Sequence, residues 1–343
     1  MVSEAPPFWW EKPDWRALAL SPLASIYGAV AGRRIRRAHP PAISAPVLCI
    51  GNFTVGGAGK TPTAIAFAKA AAASGLRPGI VSRGYGGAYS GAHRVDPDHD
   101  SAHLVGDEPL LLARHAPVVV SADRFAGAQQ LQAAQCDFII MDDGFQSARL
   151  HFDYALMVVD AGRGIGNGHV LPAGPLRAPL VDQLVRTDAV LKIGRGEGGD
   201  MVVRRAARAA KPIHEAILQP VALSGVKGPL LAFAGIGDPG KFYATLSDSG
   251  AAVAATRSFP DHHPYTEDDV AELTREAAEK GLQLVTTAKD HVRLLGGGAA
   301  AKKLADEILV LEVELSFGQP QMPLNIIRET CARAKTRAYN PPR

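Results

Sequence analysis

The run Thr54-Val-Gly-Gly-Ala-Gly-Lys-Thr61 carries the most definite chemistry in this chain. Backbone N–H groups of Thr54, Val55, Gly56, Gly57, Ala58 and Gly59 form a cradle suited to phosphate oxygens. A helix opening at the end of the cradle adds positive potential. Lys60 is then placed to reach β- and γ-phosphates, and the Thr61 hydroxyl to ligate Mg²⁺. Loops of this type usually have glycine six positions before the lysine. Here that residue is Thr54, so Gly56 and Gly57 supply the flexibility. The segment Phe138-Ile-Ile-Met-Asp-Asp143 is the expected companion, an apolar strand delivering carboxylates beside the loop. One of Asp142 and Asp143 is expected to hold Mg²⁺. Neighbouring strand residues face opposite ways, so spacing does not choose between them.

Three further segments bear groups that would act on an acceptor. In Gly106-Asp-Glu-Pro109, Asp107 or Glu108 suits taking a proton from an alcohol nucleophile, and suits a helix N-terminus equally well. Ser82-Arg-Gly-Tyr-Gly86 follows an apolar run, at the sheet edge where open α/β folds bind ligands. Arg83 there fits an anionic group and Tyr85 a sugar or acyl surface. Asp261-His262-His263 sits in a proline-flanked loop. Adjacent histidines in one loop make a poor metal pair. A loop histidine reaching across a cleft to orient a carboxylate base is reasonable chemistry.

These residues need a scaffold, and the chain reads as one. VLCIGNF, PGIVSRGYG, APVVVSADR, CDFIIMDDG, YALMVVDAG and DAVLKIG are short apolar runs bounded by turns. Ala-rich helical stretches separate them, the first predicted from Pro62 to Ala73. The fold class expected is α/β, a mostly parallel P-loop NTPase-type sheet with helices on both faces. Around Gly225–Pro229 the pattern restarts: PLLAFAGIGDPGKF, LQLVTTAKD and EILVLEVEL read as strands of a second, smaller α/β domain. The divisions expected are a membrane-interacting arm over 1–42, a P-loop kinase domain over 43–226 and a smaller domain over 227–343. The last helix is free to pack back on the first domain.

Of 343 residues, 47% are apolar and 21% charged, which calls for a folded core. The formal charge is +3, too balanced for a protein that binds nucleic acid by bulk charge. That excess lies within residues 1–39, which hold six Lys/Arg and three Asp/Glu. Phe8, Trp9, Trp10 and Trp15 precede the uncharged run Ala17–Gly32, and Arg33, Arg34, Arg36 and Arg37 follow it. Sixteen uncharged residues fall short of the ~20 a spanning helix needs. The pattern fits a helix in a membrane interface; the alternative is a helix packed on the protein's own core. Cys49, Cys136 and Cys331 are far apart and odd in number, which supports neither a disulfide framework nor a zinc site.

Taken together, the motifs closely resemble the tetraacyldisaccharide 4'-kinase (lipid A 4'-kinase) family. The shared runs include GNFTVGGAGKTP, SRGYGG, VGDEPLLLA, SADR, IIMDDGFQ, VVDAGRGIGNGHVLPAGPLR, FAGIGDPGKF, FPDHHPY and TAKDHVRL. The resemblance implies transfer of the ATP γ-phosphate to the 4'-hydroxyl of a tetraacylated disaccharide 1-phosphate at the cytoplasmic face of the inner membrane. ATP and Mg²⁺ are the implied cofactors, a lipid A precursor and the bilayer surface the implied partners, with no obligate protein partner. Carried over, Asp107 is the general base aided by His262, and Lys60 serves the phosphates. Thr61, Asp142, Asp143 and Glu108 fall on metal positions; Arg83, Tyr85, Arg124, Gln146 and Arg177 fall on substrate positions. Two departures bear on the acceptor: Ser147 stands where a histidine often stands, and Ala178 where a glutamate often stands.

Overall fold

The computed structural model describes residues 5–85, 87–89 and 91–339. Gly86, which ends the SRGYG turn, lies outside the described residues. The strands run β1 (Val47–Asn52), β2 (Pro78–Ser82), β3 (His93–Arg94), β4 (Val118–Val120), β5 (Phe138–Asp142), β6 (Tyr154–Asp160) and β7 (Ala189–Ile193). They continue as β8 (Ile213–Pro220), β9 (Leu230–Ala234), β10 (Val253–Ser258), β11 (Gln283–Thr287), β12 (Leu309–Leu311) and β13 (Val313–Phe317). The helices are α1 (Trp15–Arg37), α2 (Lys60–Ala73), α3 (Ala102–Val105), α4 (Asp107–Ala113), α5 (Arg124–Ala133) and α6 (Leu180–Val185). After them come α7 (Asp200–Arg208), α8 (Pro239–Asp248), α9 (Glu267–Lys280), α10 (Ala288–Leu295), α11 (Ala299–Glu307) and α12 (Met322–Tyr339).

The strands form two sheets. The larger has the order β13-β8-β7-β6-β1-β5-β2-β4-β3, and the smaller β10-β9-β11-β12. Pairing is parallel except at the two edges of the large sheet, where β13 meets β8 and β3 meets β4 antiparallel. Every residue of β1, β2 and β5 is buried, because helices cover both faces. Along β1 the side chains alternate: Leu48 and Ile50 join Phe67 of α2 on one face, Val47 and Cys49 join Ile139 and Met141 on the other. Cys49 and Cys136 are buried free thiols.

The segment EILVLEVEL differs from its expected single strand. It divides at Glu312 into β12, in the small sheet, and β13, in the large one. The Val221 amide, just past β8, donates to the Glu312 carbonyl at 2.9 Å, so the chain leaves and re-enters the large sheet side by side. Three strands escaped the sequence reading for a common reason. β3 has two residues, while β8 and β10 are partly exposed edge or near-edge strands without a continuous apolar run.

Helix α1 begins at an Asp14 cap, whose carboxylate accepts from the Arg16 and Ala17 amides. Pro22 lies inside it and cannot donate to the Leu18 carbonyl. The Ser21 hydroxyl takes that carbonyl at 2.8 Å instead. Its inward face is made of small residues, Ala17, Ala24, Gly28 and Gly32, with Ile35 near the end. Large apolar side chains point outward: Leu18, Ile26 and Val30 are each about two-thirds exposed. No helix among the described residues is long and apolar enough to cross a membrane.

At the other end of the chain, α12 closes against the large sheet. Arg337 donates to Asp153 at 2.8 and 3.2 Å, and to the Ile43 carbonyl at 2.8 Å. Asp153 is buried and also accepts from the Val47 amide at 2.9 Å. Asp153→Ala strands a guanidinium and a strand amide together, and should cost about 3 kcal/mol of stability. Chemical denaturation read by circular dichroism checks this; a loss under 1 kcal/mol would show the tie to be dispensable.

Candidate active site

The phosphate loop joins the central strand β1 to α2. Gly56 and Gly59 take positive φ values of 98° and 90°, which suit glycine far better than other residues. A Cβ on Gly59 would also stand 2.7 Å from the Ile193 side chain at the end of β7. α2 starts at Lys60, two residues earlier than expected, so the loop amides run directly into the helix N-terminus. The Lys60 ammonium donates to the Gly56 carbonyl at 3.3 Å and lies 3.7 Å from Asp143. Asn52 Nδ2 donates to the same carbonyl at 2.9 Å. Lys60 and Thr61 are both buried.

β5 ends beside this loop, and the backbone separates its two carboxylates. Asp143 takes φ 49°, turning its side chain out of the strand's alternation. There it receives two bonds from Arg177, 2.8 Å from Nη1 and 3.0 Å from Nη2. Burial alone would raise the Asp143 pKa, but Lys60 and Arg177 outweigh it and hold the group below the usual carboxylate range. Asp142 stays in the strand, accepting from Ser82 Oγ at 3.3 Å. Its Oδ1 is buried without a hydrogen-bond partner. Burial first, then the charges of Glu108 and Asp143, push its pKa up to about 7.

The acids of α4 meet the second sheet across the cleft. Asp107 is 4% exposed. Its Oδ1 accepts from the Glu108 amide at 3.0 Å. Its Oδ2 accepts from His262 Nδ1 at 3.2 Å, and from both Nε (3.1 Å) and Nη2 of Arg293. Burial would raise the Asp107 pKa. The His262 hydrogen bond and the Lys289 and Arg293 charges prevail and hold it well below the carboxylate range. His262 is raised in turn, chiefly by its bond to Asp107. It occupies a left-handed backbone position at φ 59°, and its amide donates to the Gly235 carbonyl at 3.1 Å. Glu108 accepts from Lys289 Nζ at 2.6 Å. The Lys289 charge foremost, and the Lys60 charge further down, lower its pKa. Glu108 is therefore the electrostatic link between Asp107 beside it and Lys60 and Asp142 of the phosphate site. His263 bonds Asp269 at 2.9 Å, in the first turn of α9.

The expected substrate residues fall in two places. Arg83 and Tyr85 line a cleft of about 420 Å³ with Tyr89 and Leu104, beside α3. Gln146 and Arg177 stand behind the loop instead, and Arg124 beside the end of β5. Arg177 Nε donates to the Thr54 carbonyl at 2.9 Å, and Gln146 to the Asn52 carbonyl at 2.9 Å. Arg124 is 3% exposed and donates to the Ser121 carbonyl at 2.5 Å. Ala178 is fully buried, and Gln146 bonds two side chains there, donating to Gln183 at 3.0 Å and accepting from Arg177 at 3.4 Å. Sequence reasoning missed Lys289, Arg293, Asn52 and Gln183. TAKDHVRL did signal Lys289 and Arg293, one helical turn apart, but no spacing rule tells that they face α4, which packs on β4 of the large sheet.

Comparison with known proteins agrees along nearly the whole chain. The family model for LpxK, tetraacyldisaccharide-1-P 4'-kinase, matches residues 16–332. A tetraacyldisaccharide 4'-kinase of Brucella anthropi is 60% identical over 338 residues, covering 98% of this chain and 99% of the relative. One from Brucella canis is 58% identical over 340 residues, covering 99% of this chain and all of the relative. A crystal structure of LpxK from Aquifex aeolicus, described as an "apo" form in complex with ATP, aligns with TM-score 0.71 at 26% identity. That alignment covers 92% of this chain and 99% of that one. A phosphate loop on this sheet with relatives of such identity and extent leads to one conclusion: the chain belongs to the tetraacyldisaccharide 4'-kinase (LpxK) family and is a kinase.

Proposed function

We propose that the chain transfers the γ-phosphoryl group of ATP to the 4'-hydroxyl of tetraacyldisaccharide 1-phosphate in lipid A biosynthesis, with Asp107 as general base. The observation carrying this reading is the buried Asp107 at the head of α4, held by His262 and Arg293 next to Glu108, whose charge acts on Asp142 and feels Lys60 of the phosphate site. The loop amides and Lys60 hold the triphosphate. The acceptor oxygen attacks the γ-phosphorus, its proton passes to Asp107, and ADP is the leaving group. A sugar hydroxyl is a weak nucleophile, so placement and charge stabilisation supply most of the acceleration. A carboxylate held ionised and in place suits that task, and His262 helps to hold it. Arg83 and Tyr85 are assigned to the acceptor, whereas Gln146 and Arg177 support the loop and Arg124 the turn after β5.

The residues present fit Mg²⁺. Asp142 offers a buried oxygen with no partner and a carboxylate whose pKa is pushed up first by burial and then by neighbouring negative charge, both of which a cation relieves. Asp142 and the Thr61 hydroxyl would hold the ion, which when bound neutralises charge on the phosphates. Asp143 is committed to Arg177 and Lys60, and Glu108 to Lys289, which leaves Asp142 the better of the carboxylates expected at the metal.

The acceptor is a lipid, and α1 supports a peripheral seat on the cytoplasmic face of the inner membrane. Its outward face is apolar along Trp15, Leu18, Leu23, Ile26 and Val30, and its last turns add arginines. A helix packed only on its own protein would show water the opposite pattern.

Incubating the purified protein with ATP, Mg²⁺ and the disaccharide 1-phosphate in detergent should give a bis-phosphorylated lipid, detected by mass spectrometry. No such product would end the proposal. Asp107→Asn should lower kcat by about 10²- to 10⁴-fold while leaving ATP affinity within about twofold. Lys60→Ala should weaken both nucleotide binding and turnover, as titration calorimetry and the same assay would show. Replacing Arg33, Arg34 and Arg37 with glutamine, and leaving Arg36 on Asp182, should release the protein from anionic vesicles in flotation at unchanged ATP affinity. Each removes roughly 1 kcal/mol of attraction to the bilayer. Parallel loss of both properties would make the arm structural.

A further inference from the structure

We propose that Arg293 is a positioning residue for phosphoryl transfer: it locks the Asp107 carboxylate so that Oδ2 belongs to the second domain and Oδ1 faces the acceptor hydroxyl. The proposal rests on the reading of Asp107 as base and extends it to a residue that never touches substrate. Four bonds define the guanidinium. Nε and Nη2 both go to Asp107 Oδ2, while Nη1 donates to the Gly235 carbonyl at 2.5 Å and to Asp290 Oδ1 at 2.7 Å. Arg293 and Asp107 are 5% and 4% exposed at their side chains, so water takes little part.

The anchors of Arg293 are themselves fixed. Asp290 is fully buried, accepting from the Gly235 amide at 3.1 Å and from the Thr287 hydroxyl at 2.6 Å. Gly235 follows β9, and Asp290 and Arg293 lie on α10, so the guanidinium is a rigid extension of the small sheet. The Gly235 carbonyl also receives the His262 amide at 3.1 Å, which puts both partners of Oδ2 on one backbone oxygen. Three N–H donors on Oδ2, one from His262 and two from Arg293, stop the carboxylate turning about its Cβ–Cγ bond. Oδ1, bonded to the Glu108 amide at 3.0 Å, keeps an acceptor position free for a hydroxyl.

A cation against a base would ordinarily weaken it. Asp290 answers that, because its own carboxylate shares the guanidinium charge on the far side. The answer is partial, since Arg293 still helps to hold the Asp107 carboxylate below the usual range, and what the arrangement secures is a fixed geometry. Lysine could restore the charge but not the planar set of donors that reaches three acceptors at once.

The test is a double-mutant cycle on the full-length protein with detergent-solubilised disaccharide 1-phosphate and Mg-ATP. Arg293→Lys should lower kcat about 10- to 100-fold with both KM values within about twofold, and Arg293→Met more. Added guanidinium should recover part of the kcat of Arg293→Met or, if that variant melts early, of Arg293→Lys. On an Asp107→Asn background Arg293→Lys should cost nothing further, since its effect runs through that carboxylate. Wild-type kcat in Arg293→Lys overturns the assignment. So do losses that add on the Asp107→Asn background, or that follow only melting temperature and ATP affinity. Full activity of Asp107→Asn alone would instead overturn the base reading.

Discussion

Asp107, Glu108, Asp142 and Asp143 converge on one end of the large sheet, and much of the surrounding structure exists to hold those negative charges together. Carboxylates in a buried site repel one another and lose hydration, so each needs a cation or takes up a proton. Asp143 is met by Arg177 and Lys60, Glu108 by Lys289, and Asp107 by Arg293 and His262. Asp142 is the one with an oxygen unmatched, and its pKa rises accordingly. The compensating charges come from both sheets. The ion pairs that span the cleft thus belong to the same balance of charge that suits it to a triphosphate.

Much of this was legible from the sequence where local rules apply. The strand–glycine loop–helix order placed Lys60 and Thr61, and the apolar run of β5 placed Asp142 and Asp143. Parallel interior strands announced themselves as unbroken apolar runs because both their faces are covered. Where burial is partial, as in β8 and β10, alternation was too weak to read. The EILVLEVEL segment misled for a different reason: strand propensity is blind to which sheet a strand joins, and Glu312 marks a change of partner rather than of conformation.

The site was legible in type but less so in contact. Asp107 with His262 emerged from family likeness, and the structure brings the two side chains together at 3.2 Å. Arg177 and Gln146 carry groups suited to a substrate, yet they bond backbone carbonyls, of Thr54 in the loop and Asn52 at the end of β1. Polarity in a sequence marks a group needing a partner. It does not say whether that partner is a ligand or the protein's own backbone. Lys289 and Arg293 show the converse, since their partners lie more than 180 residues away in the chain.

The side-by-side exit and re-entry at Val221 and Glu312 has a topological meaning. β8 and β13 pair antiparallel with Val313 opposite Pro220, so they are the two arms of one hairpin. The entire small sheet, with its helices and its grip on Asp107, is the content of that hairpin's loop. A long insertion adds only logarithmically to the entropy of closing a loop. Such a module is therefore a graft that the large sheet can carry without altering its own strand order. Its two stalks share one sheet edge, which makes the Asp107 contact the distant end of a lever rather than a second root.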